Sequence, residues 1–378
     1  MQIAPRHSPI DWIALTFVPG VGSRTAAALI ERFGSPAACF EASAAQLESA
    51  GLRRESIEAL QRGDVREQAA AELRMLEAIG GDALTLNDAR YPALLRETFD
   101  PPIVLYARGD IARALAQPAI AVVGSRHCST YGRNVAEKLA RELAERGITI
   151  VSGLARGIDS AAHQGALDGR GLTVAVMGTG LDAIYPKENQ KLADRIVESG
   201  ALLTEFALQS PPLPQHFPFR NRVISGMTLG VLVVEGAERS GSLITARMAM
   251  EQGRDVFAVP GNITSAKSFG PNTLIKDGAK LVQTWRDVVE ELPLEIRAAI
   301  LAAERAESGD AQLKFDEVAL SEAERAVLTA LREDEPTPID ELIATVTVAR
   351  GDLMSALLTL EMAGRIQQLP GKSFVKKM

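Results

Sequence analysis

Small, polar and cationic residues follow four apolar runs in the middle of the chain, and their types suit the binding of an anion. The four turns are Gly124-Ser125-Arg126, Ser152-Gly153-Leu154-Ala155-Arg156-Gly157, Gly178-Thr179-Gly180 and Gly236-Ala237-Glu238-Arg239-Ser240-Gly241-Ser242. Glycine lets the backbone approach a phosphate, and a following helix offers free N–H groups. Alternatively, a glycine after a strand only allows a tight connection between the strand and the next helix, without binding a ligand. Four such turns together favour a phosphate-bearing ligand.

A second group of residues combines cations with aromatic rings in the stretch His216-Phe217-Pro218-Phe219-Arg220-Asn221-Arg222. Arginine offers forked donors to phosphate, and a ring can stack on an unpaired base. The alternative is that the rings belong to the core and the arginines form surface ion pairs. The sequence contains neither a Gly-x4-Gly-Lys-Ser/Thr loop nor a Gly-x-Gly-x-x-Gly on the first of the apolar runs. A P-loop NTPase and a dinucleotide dehydrogenase are therefore not supported.

The apolar runs and the segments between them indicate how these turns are positioned. Continuous Val, Ile and Ala runs without polar alternation predict strands that are covered on both faces, at residues 119–123, 148–151, 173–177, 201–204, 231–235 and 255–259. Helical segments are predicted between them, at residues 134–146, 160–167, 187–198 and 241–252. This alternation predicts an α/β fold with a Rossmann-like, doubly wound, mainly parallel sheet. In such a sheet ligands bind at the carboxyl ends of the strands.

The predicted domains are a helical domain (10–87), the Rossmann-like domain (88–285), an acidic linker (286–320) and a winged helix (321–378). The turn Val18-Pro19-Gly20-Val21-Gly22 fits either a helix-hairpin-helix, which grips DNA phosphates, or a protein-contact domain of the sterile-alpha-motif type. The winged helix is predicted from three helical segments and a hairpin within 58 residues. Its recognition segment carries Arg350 as its one cation, which favours protein contact or weak DNA binding over sequence-specific binding.

Composition limits the functional classes. The net charge is −7, but residues 118–280 hold 18 Lys and Arg against 15 Asp and Glu, so charge alone does not decide about DNA. Two cysteines, Cys39 and Cys128, make no disulfide framework and favour a reducing cytoplasm. The four histidines are scattered, so no metal site and no cofactor are expected. No apolar run approaches the roughly 20 residues of a membrane span.

A series of motifs resembles the DprA/Smf family. The blocks occur in the family's order, as Gly124-Ser125-Arg126, Ser152-Gly153-x-Ala155-x-Gly157-Ile158-Asp159-x-x-Ala162-His163, Gly178-x-Gly180-x-Asp182-x-Ile184-Tyr185-Pro186-x-x-Asn189, Phe217-Pro218-x-Arg220-Asn221-Arg222, Ser240-Gly241-Ser242-Leu243-Ile244-Thr245-Ala246 and Val259-Pro260-Gly261. The resemblance implies a homodimer that binds and protects incoming single-stranded DNA and loads the RecA recombinase during natural transformation.

The resemblance also implies roles for individual residues. Arg126 would hold a phosphate, Lys187 would lie on the rim of the site, and Phe217 would face a base. The full expected DNA-binding set is Ser125, Arg126, Ser152, Gly153, Lys187, Asn189, Phe217, Arg220, Asn221, Arg222, Ser240, Gly241, Ser242, Gly270 and Asn272. The expected dimer interface contains Met250, Ile275 and Leu281.

An enzyme is the competing hypothesis, since phosphoribohydrolases resemble this fold and cleave nucleotides. Such an enzyme needs a carboxylate near the ribose, for which Glu235, Glu238 and Asp182 are the candidates. The Pro-Gly-Gly-x-Gly-Thr-x-x-Glu block of those enzymes is absent here. The sequence therefore favours a protein that binds DNA without catalysis.

Overall fold

The computed structural model describes residues 8–315, 321–331, 336–346, 348–362, 365–369, 371 and 373–376, with the side chains of 305–315 and 362 left aside. The chain divides into two compact units, one up to Ala302 and one from Ala303 onward.

Six short helices open the first unit. They are α1 (Pro9–Phe17), α2 (Ser23–Phe33), α3 (Pro36–Glu41), α4 (Ala44–Ser49), α5 (Arg54–Arg62) and α6 (Asp64–Ala78). Gly20 adopts a positive φ of 75° in the turn between α1 and α2, which glycine tolerates without strain. The Ser56 hydroxyl donates to the Pro19 carbonyl at 2.6 Å and fastens α5 to this turn. The apolar faces of these helices share one core with sheet residues such as Tyr106 and Leu202.

A nine-stranded sheet forms the centre of this unit. Its strands are β1 (Gly81–Thr85), β2 (Val104–Gly109), β3 (Ala119–Val123), β4 (Thr149–Ser152), β5 (Thr173–Val176), β6 (Ala201–Thr204), β7 (Gly230–Val233), β8 (Asp255–Ala258) and β9 (Lys280–Leu281). The spatial order is β1-β2-β6-β5-β4-β3-β7-β8-β9. The pairs β1–β2 and β2–β6 are antiparallel, and all other pairs are parallel. From β3 the chain winds outward to β6 and then returns to the other side of β3, so the order reverses between β3 and β7.

Helices cover both faces of the sheet. They are α7 (Ala93–Arg96), α8 (Ile111–Leu115), α9 (Thr130–Glu145), α10 (Ile158–Asp168), α11 (Gln190–Ser199), α12 (His216–Gly226), α13 (Gly241–Glu251), α14 (Phe269–Lys276) and α15 (Trp285–Val289). One core joins the sheet to α12, α13 and α14, and another joins its opposite face to α9, α10 and α15. Every residue of β3 is buried, as expected for a strand covered on both faces.

The second unit has the elements of a winged helix. The helix α16 (Leu294–Phe315) begins in the first unit and ends in the second. It is followed by α17 (Glu322–Ala330), β10 (Thr337–Pro338), α18 (Ile339–Thr345), α19 (Arg350–Met362), β11 (Ile366–Leu369) and β12 (Ser373–Lys376). The strands form a small sheet in the order β10-β12-β11, and the helices pack around Val327, Leu342 and Leu357.

The predicted fold class is confirmed, because the sheet is mainly parallel, is covered on both faces and reverses its strand order. The six predicted strands correspond to β3 through β8 within two residues at each end. The helix α12 was not predicted. The domain boundaries stay predictions: β1 pairs into the central sheet although it lies before residue 88, α16 occupies residues 294–315 of the expected linker, and residues 316–320 lie outside the described part.

Both thiols are free, with Cys39 buried and Cys128 partly exposed. Among the residues that the structure describes, no helix combines the length and apolar character that crossing a bilayer requires. The same part of the chain contains no cluster of three or more His, Cys, Asp or Glu side chains placed to hold a metal ion.

Candidate nucleic-acid interface

A cleft of about 460 Å³ lies at the carboxyl ends of β3 and β7, where the strand order reverses. Loops that diverge from such a point leave a crevice, which is where open α/β sheets bind their ligands. Eight of the expected DNA-binding residues line this cleft: Ser125, Arg126, Phe217, Arg220, Asn221, Ser240, Gly241 and Ser242. The sequence motifs therefore converge at one place in the fold.

Arg126 and Phe217 form the mouth of the cleft. The Arg126 guanidinium lies 5.0 Å from the centre of the Phe217 ring, and Arg126 is exposed whereas Phe217 is partly exposed. Tyr185 is a second neighbour of Phe217, with 6.0 Å between the ring centres. Gly178 lies beneath the ring, and a Cβ there would come within 3.1 Å of it. A cation and a partly exposed ring thus occur together, as a phosphate and its unpaired base would require.

Arg220 forms the floor of the cleft rather than its surface. Its side chain is 4% exposed, and Nη1 donates to the Val176 carbonyl at 2.7 Å. Burial lowers the pKa of this guanidinium to about 10, with the neighbouring Asp159 opposing the shift, so it stays charged at neutral pH. Gly153 is required beside it, because a Cβ at that position would overlap the guanidinium.

Asp159 organises the loop between β4 and α10. Its carboxylate accepts from the N–H groups of Gly153 at 3.2 Å and Ala155 at 3.3 Å. Burial raises the pKa of Asp159, and the charge of Arg220 acts against that increase. The buried Asp159 and Arg220 charges therefore offset each other beneath the cleft, and the exposed Arg126 and Arg239 supply its outward positive charge.

The opposite wall of the cleft is the loop that leads into α13. The Ser240 hydroxyl caps that helix by accepting from the Ser242 N–H at 3.3 Å, and the two hydroxyl oxygens lie 2.8 Å apart. A Cβ at Gly241 would meet nothing within 4 Å, so the backbone is open to a close approach there. The N-terminus of an 11-residue helix faces the cleft at this point and favours an anion.

Five other expected residues support the loops around the cleft. Ser152 is buried and donates to the Val122 carbonyl at 2.7 Å. Asn189 donates to the Leu154 carbonyl at 2.8 Å. Arg222 is 8% exposed, pairs with Glu205 and donates to the Asp100 carbonyl at 2.6 Å. Gly270 and Asn272 are the other two.

Asn272 and Gly270 hold the segment before α14. The Asn272 amide exchanges two hydrogen bonds with the Gly261 backbone, at 3.1 and 3.0 Å. The Gly270 N–H donates to the Gly236 carbonyl at 2.8 Å, where a side chain would clash. Gly153 lines a small adjoining pocket beside Phe217, and Lys187 is exposed at the start of a 3-10 turn.

Sequence reasoning missed three residues at this site. Arg239 is exposed and lines the main cleft, and Tyr185 lines the adjoining pocket with Phe217. Asp159 is buried and also lines the main cleft. Each belongs to a motif that the sequence analysis had singled out, so the signal was present, but the side of the loop that each occupies depends on tertiary packing.

The carboxylates nominated for catalysis have other contacts. Glu235 is 4% exposed and accepts from the Ser129 N–H at 2.8 Å, at the start of α9. Asp182 accepts from the Gln209 N–H at 2.8 Å. Glu238 is exposed on the loop before α13 but is not among the lining residues of the main cleft.

The expected dimer residues differ in exposure. Met250 is 54% and Leu281 is 40% exposed, whereas Ile275 is partly buried against the core. Two large apolar side chains are therefore available to a partner.

Comparisons with known proteins agree with the motifs. The family model for DNA recombination-mediator protein A matches residues 82–293, and the model for the DprA winged helix domain matches residues 312–372. Protein Smf of Escherichia coli is 43% identical over 311 residues, covering 81% of this chain and 80% of that protein. DNA processing protein DprA of Bacillus subtilis is 44% identical over 214 residues, covering 57% of this chain and 72% of that protein.

Two solved structures are also similar. DprA from Streptococcus pneumoniae aligns with a TM-score of 0.68 and 38% identity, over 78% of this chain and 100% of that one. DNA processing protein A from Helicobacter pylori, whose structure concerns its single-stranded DNA binding mode, aligns with a TM-score of 0.50 and 30% identity, over 55% of this chain and 93% of that one. The motifs, the fold and these matches agree, and the chain belongs to the DNA recombination-mediator protein A (DprA/Smf) family.

Proposed function

We propose that this protein binds single-stranded DNA in the cleft between β3 and β7. The observation that carries the proposal is the placement of the exposed Arg126 over the ring of Phe217, at the mouth of that cleft. The guanidinium would contact a phosphate while the ring stacks on its base. A base in a duplex is already paired and stacked, so this arrangement favours an unpaired strand.

The walls of the cleft add contacts that do not depend on base identity. The exposed Arg239 and the open backbone around Gly241 would follow the phosphates, and the Ser240 and Asn221 side chains offer hydrogen bonds. Arg220 and Arg222 are buried and position the loops. Binding that relies on phosphates and on one stacked ring is tolerant of sequence, which suits DNA of arbitrary origin.

The resemblance to the DprA/Smf family extends the proposal to a DNA-processing role in natural transformation. The protein would protect incoming DNA and load the RecA recombinase on it, as a homodimer whose partners meet at Met250, Ile275 and Leu281. The exposure of Met250 and Leu281 supports that interface. The protein would act in the cytoplasm, where reducing conditions keep the thiols of Cys39 and Cys128 free.

We also propose that the protein acts without catalysis. Glu235 and Asp182 accept backbone hydrogen bonds that hold loops in place. Asp159 likewise accepts two backbone N–H groups while buried beside Arg220. These contacts give the carboxylates a structural role near the cleft. Release of free base from nucleoside monophosphates by the purified protein would contradict this part of the proposal.

The proposal is tested by titrating the full chain against a fluorescent oligo-dT and against a duplex of equal length. We expect tighter binding of the single strand, and equal or tighter binding of the duplex would refute the proposal. RecA loading is tested separately, by following RecA ATPase activity on a strand already coated by a single-strand-binding protein. Addition of this chain should shorten the lag, and an unchanged lag would exclude the loading role.

A further inference from the structure

A second cleft, of about 620 Å³, lies beside the first and shares Arg126 with it. It opens between the loop after β3, the outer side of α9 and the start of α10. Its cationic lining residues are Arg126, Arg133, Arg156 and Lys267. None of the last three lines the first cleft.

The second cleft carries an excess of positive charge. Two carboxylates, Glu137 and Glu188, face its four cations. Glu188 is already paired with Arg156, at 2.7 and 2.8 Å. Within the described part of the chain, no carboxylate lies within ion-pair distance of Arg133 or Lys267. These two side chains can therefore accept an external anion without first breaking an internal ion pair.

The two clefts are held in a fixed relation by backbone hydrogen bonds. The Gly236 N–H, at the start of the loop that walls the first cleft, donates to the Lys267 carbonyl at 2.7 Å. The Gly270 N–H in turn donates to the Gly236 carbonyl at 2.8 Å. The Tyr131 hydroxyl on α9 donates to the Pro260 carbonyl at 3.2 Å. Arg126 thus lines two clefts whose surrounding segments are joined by these hydrogen bonds.

The lining of the second cleft also indicates how a ligand would contact it. Phe217 and Tyr185 lie outside it, and its described lining residues include no Phe, Tyr or Trp. The hydroxyl of Ser160 is already bonded to the Ala155 carbonyl, and Gln164 is engaged with Asp168 and Arg195. The cations and the exposed His127 are therefore the side chains that remain for a ligand, and phosphates are the ligand groups that the cations suit.

We infer that a bound single strand continues from the first cleft over Arg126 into the second, where Arg133 and Lys267 hold its phosphates. This inference rests on the proposed function and extends the binding site. The first cleft stacks a base and grips its phosphate, and the second binds backbone alone. A strand that fills both would cross the carboxyl edge of the sheet from one face to the other.

The double variant Arg133→Ala/Lys267→Ala tests the inference. It should bind a long oligo-dT, of about 20 nucleotides, roughly tenfold more weakly and reduce the salt-dependence slope by about 1.4, or 0.7 per lost phosphate contact. A short strand of about 4 nucleotides, the lower limit for a compact single-strand site, should be affected much less. The matched control is Lys138→Ala/Arg141→Ala, which removes the same charge from exposed positions of α9 that line neither cleft.

Cys128 provides an independent readout, because it lines the second cleft and the other cysteine, Cys39, is fully buried. Saturating long strand should slow alkylation of Cys128 at least several-fold. The inference is overturned if Cys128 reacts at its free rate under saturation, or if the double variant keeps the affinity and slope of the parent. If Phe217→Ala weakens binding while the double variant does not, this inference alone fails. If the parent chain binds no single strand, the proposed function fails with it.

Discussion

Replacing Phe217 by alanine removes the stacking surface and leaves the cations of the cleft in place. The ring is partly exposed and lies 5.0 Å from the Arg126 guanidinium and 6.0 Å from the Tyr185 ring, so a base stacked on it would have a cation close to its phosphate. One base stacked on an aromatic side chain contributes about 1–3 kcal/mol, so the affinity for oligo-dT should fall roughly 5- to 150-fold. The variant also loses the cation–π contact between Arg126 and the ring, which contributes about 0.5–1 kcal/mol at an exposed site. We therefore expect the loss of affinity to lie toward the upper part of that range.

The assay is fluorescence anisotropy of a labelled oligo-dT, repeated between about 50 and 200 mM salt. The slope of log K against log salt should stay at the parent value, because a stacked base releases no counterions. Phe219→Ala is the matched control, since Phe219 lies on the same helix, is 56% exposed and does not line the cleft. Unchanged affinity in Phe217→Ala, or an equal loss in Phe219→Ala, would refute the assignment of the base-stacking ring.

Three further predictions concern the charge and the packing of the same domain. Arg126→Ala should weaken binding to every sequence alike and reduce the salt slope by about 0.7, and a sequence-dependent loss in titrations of oligo-dT, -dA and -dC would contradict it. Burial, and secondly the charge of Arg220, lower the pKa of His163 to about 3. Below about pH 6.5 the unfolded chain therefore binds a proton at this residue that the folded chain does not, and the free energy of unfolding decreases as the pH decreases. Between pH 7 and pH 5, the free energy of unfolding measured in urea should decrease less steeply for His163→Gln than for the parent, by up to about 1.4 kcal/mol per pH unit. The same pH dependence in both proteins would refute this explanation of His163. Gly153→Ala should destabilise the fold by about 1–3 kcal/mol, because its Cβ would overlap the Arg220 guanidinium. Gly241→Ala is the control, since its Cβ would enter open space and the variant should unfold at the same temperature as the parent. Equal thermal unfolding curves for the two variants would contradict the packing described for Gly153.

The central strands were predictable from sequence because their chemistry is local. A run such as Ala119–Val123 is apolar at every position, and only a strand covered on both faces buries all five residues. The helix α12 was harder to predict, because Phe217-Pro218-Phe219 offers aromatic residues and a proline where helix formers would be expected. Proline is tolerated in the first turn of a helix, where its missing N–H has no partner to lose, so Pro218 does not prevent α12 from starting at His216.

The position of the cleft was predictable, but which residues face it was not. Glycine turns after parallel strands meet at one edge of the sheet, and that rule located the cleft. Whether an arginine reaches the cleft or supports its wall depends on contacts far along the chain: Arg220 donates to Val176, and Arg222 pairs with Glu205. Such contacts exist only in the folded protein. Arg133 and Lys267 line the same second cleft for the same reason, across more than a hundred residues of sequence.

Photo-cross-linking would show directly where a bound single strand contacts the protein. An oligonucleotide in which 5-iodouracil replaces thymine would be irradiated in complex with the full chain, and the attachment site identified by mass spectrometry. If the strand binds in the first cleft, we expect attachment at Phe217 or at Tyr185, which lines the adjoining pocket with Arg126 and Phe217. Attachment confined to the N-terminal helices or to residues 321–378 would contradict it.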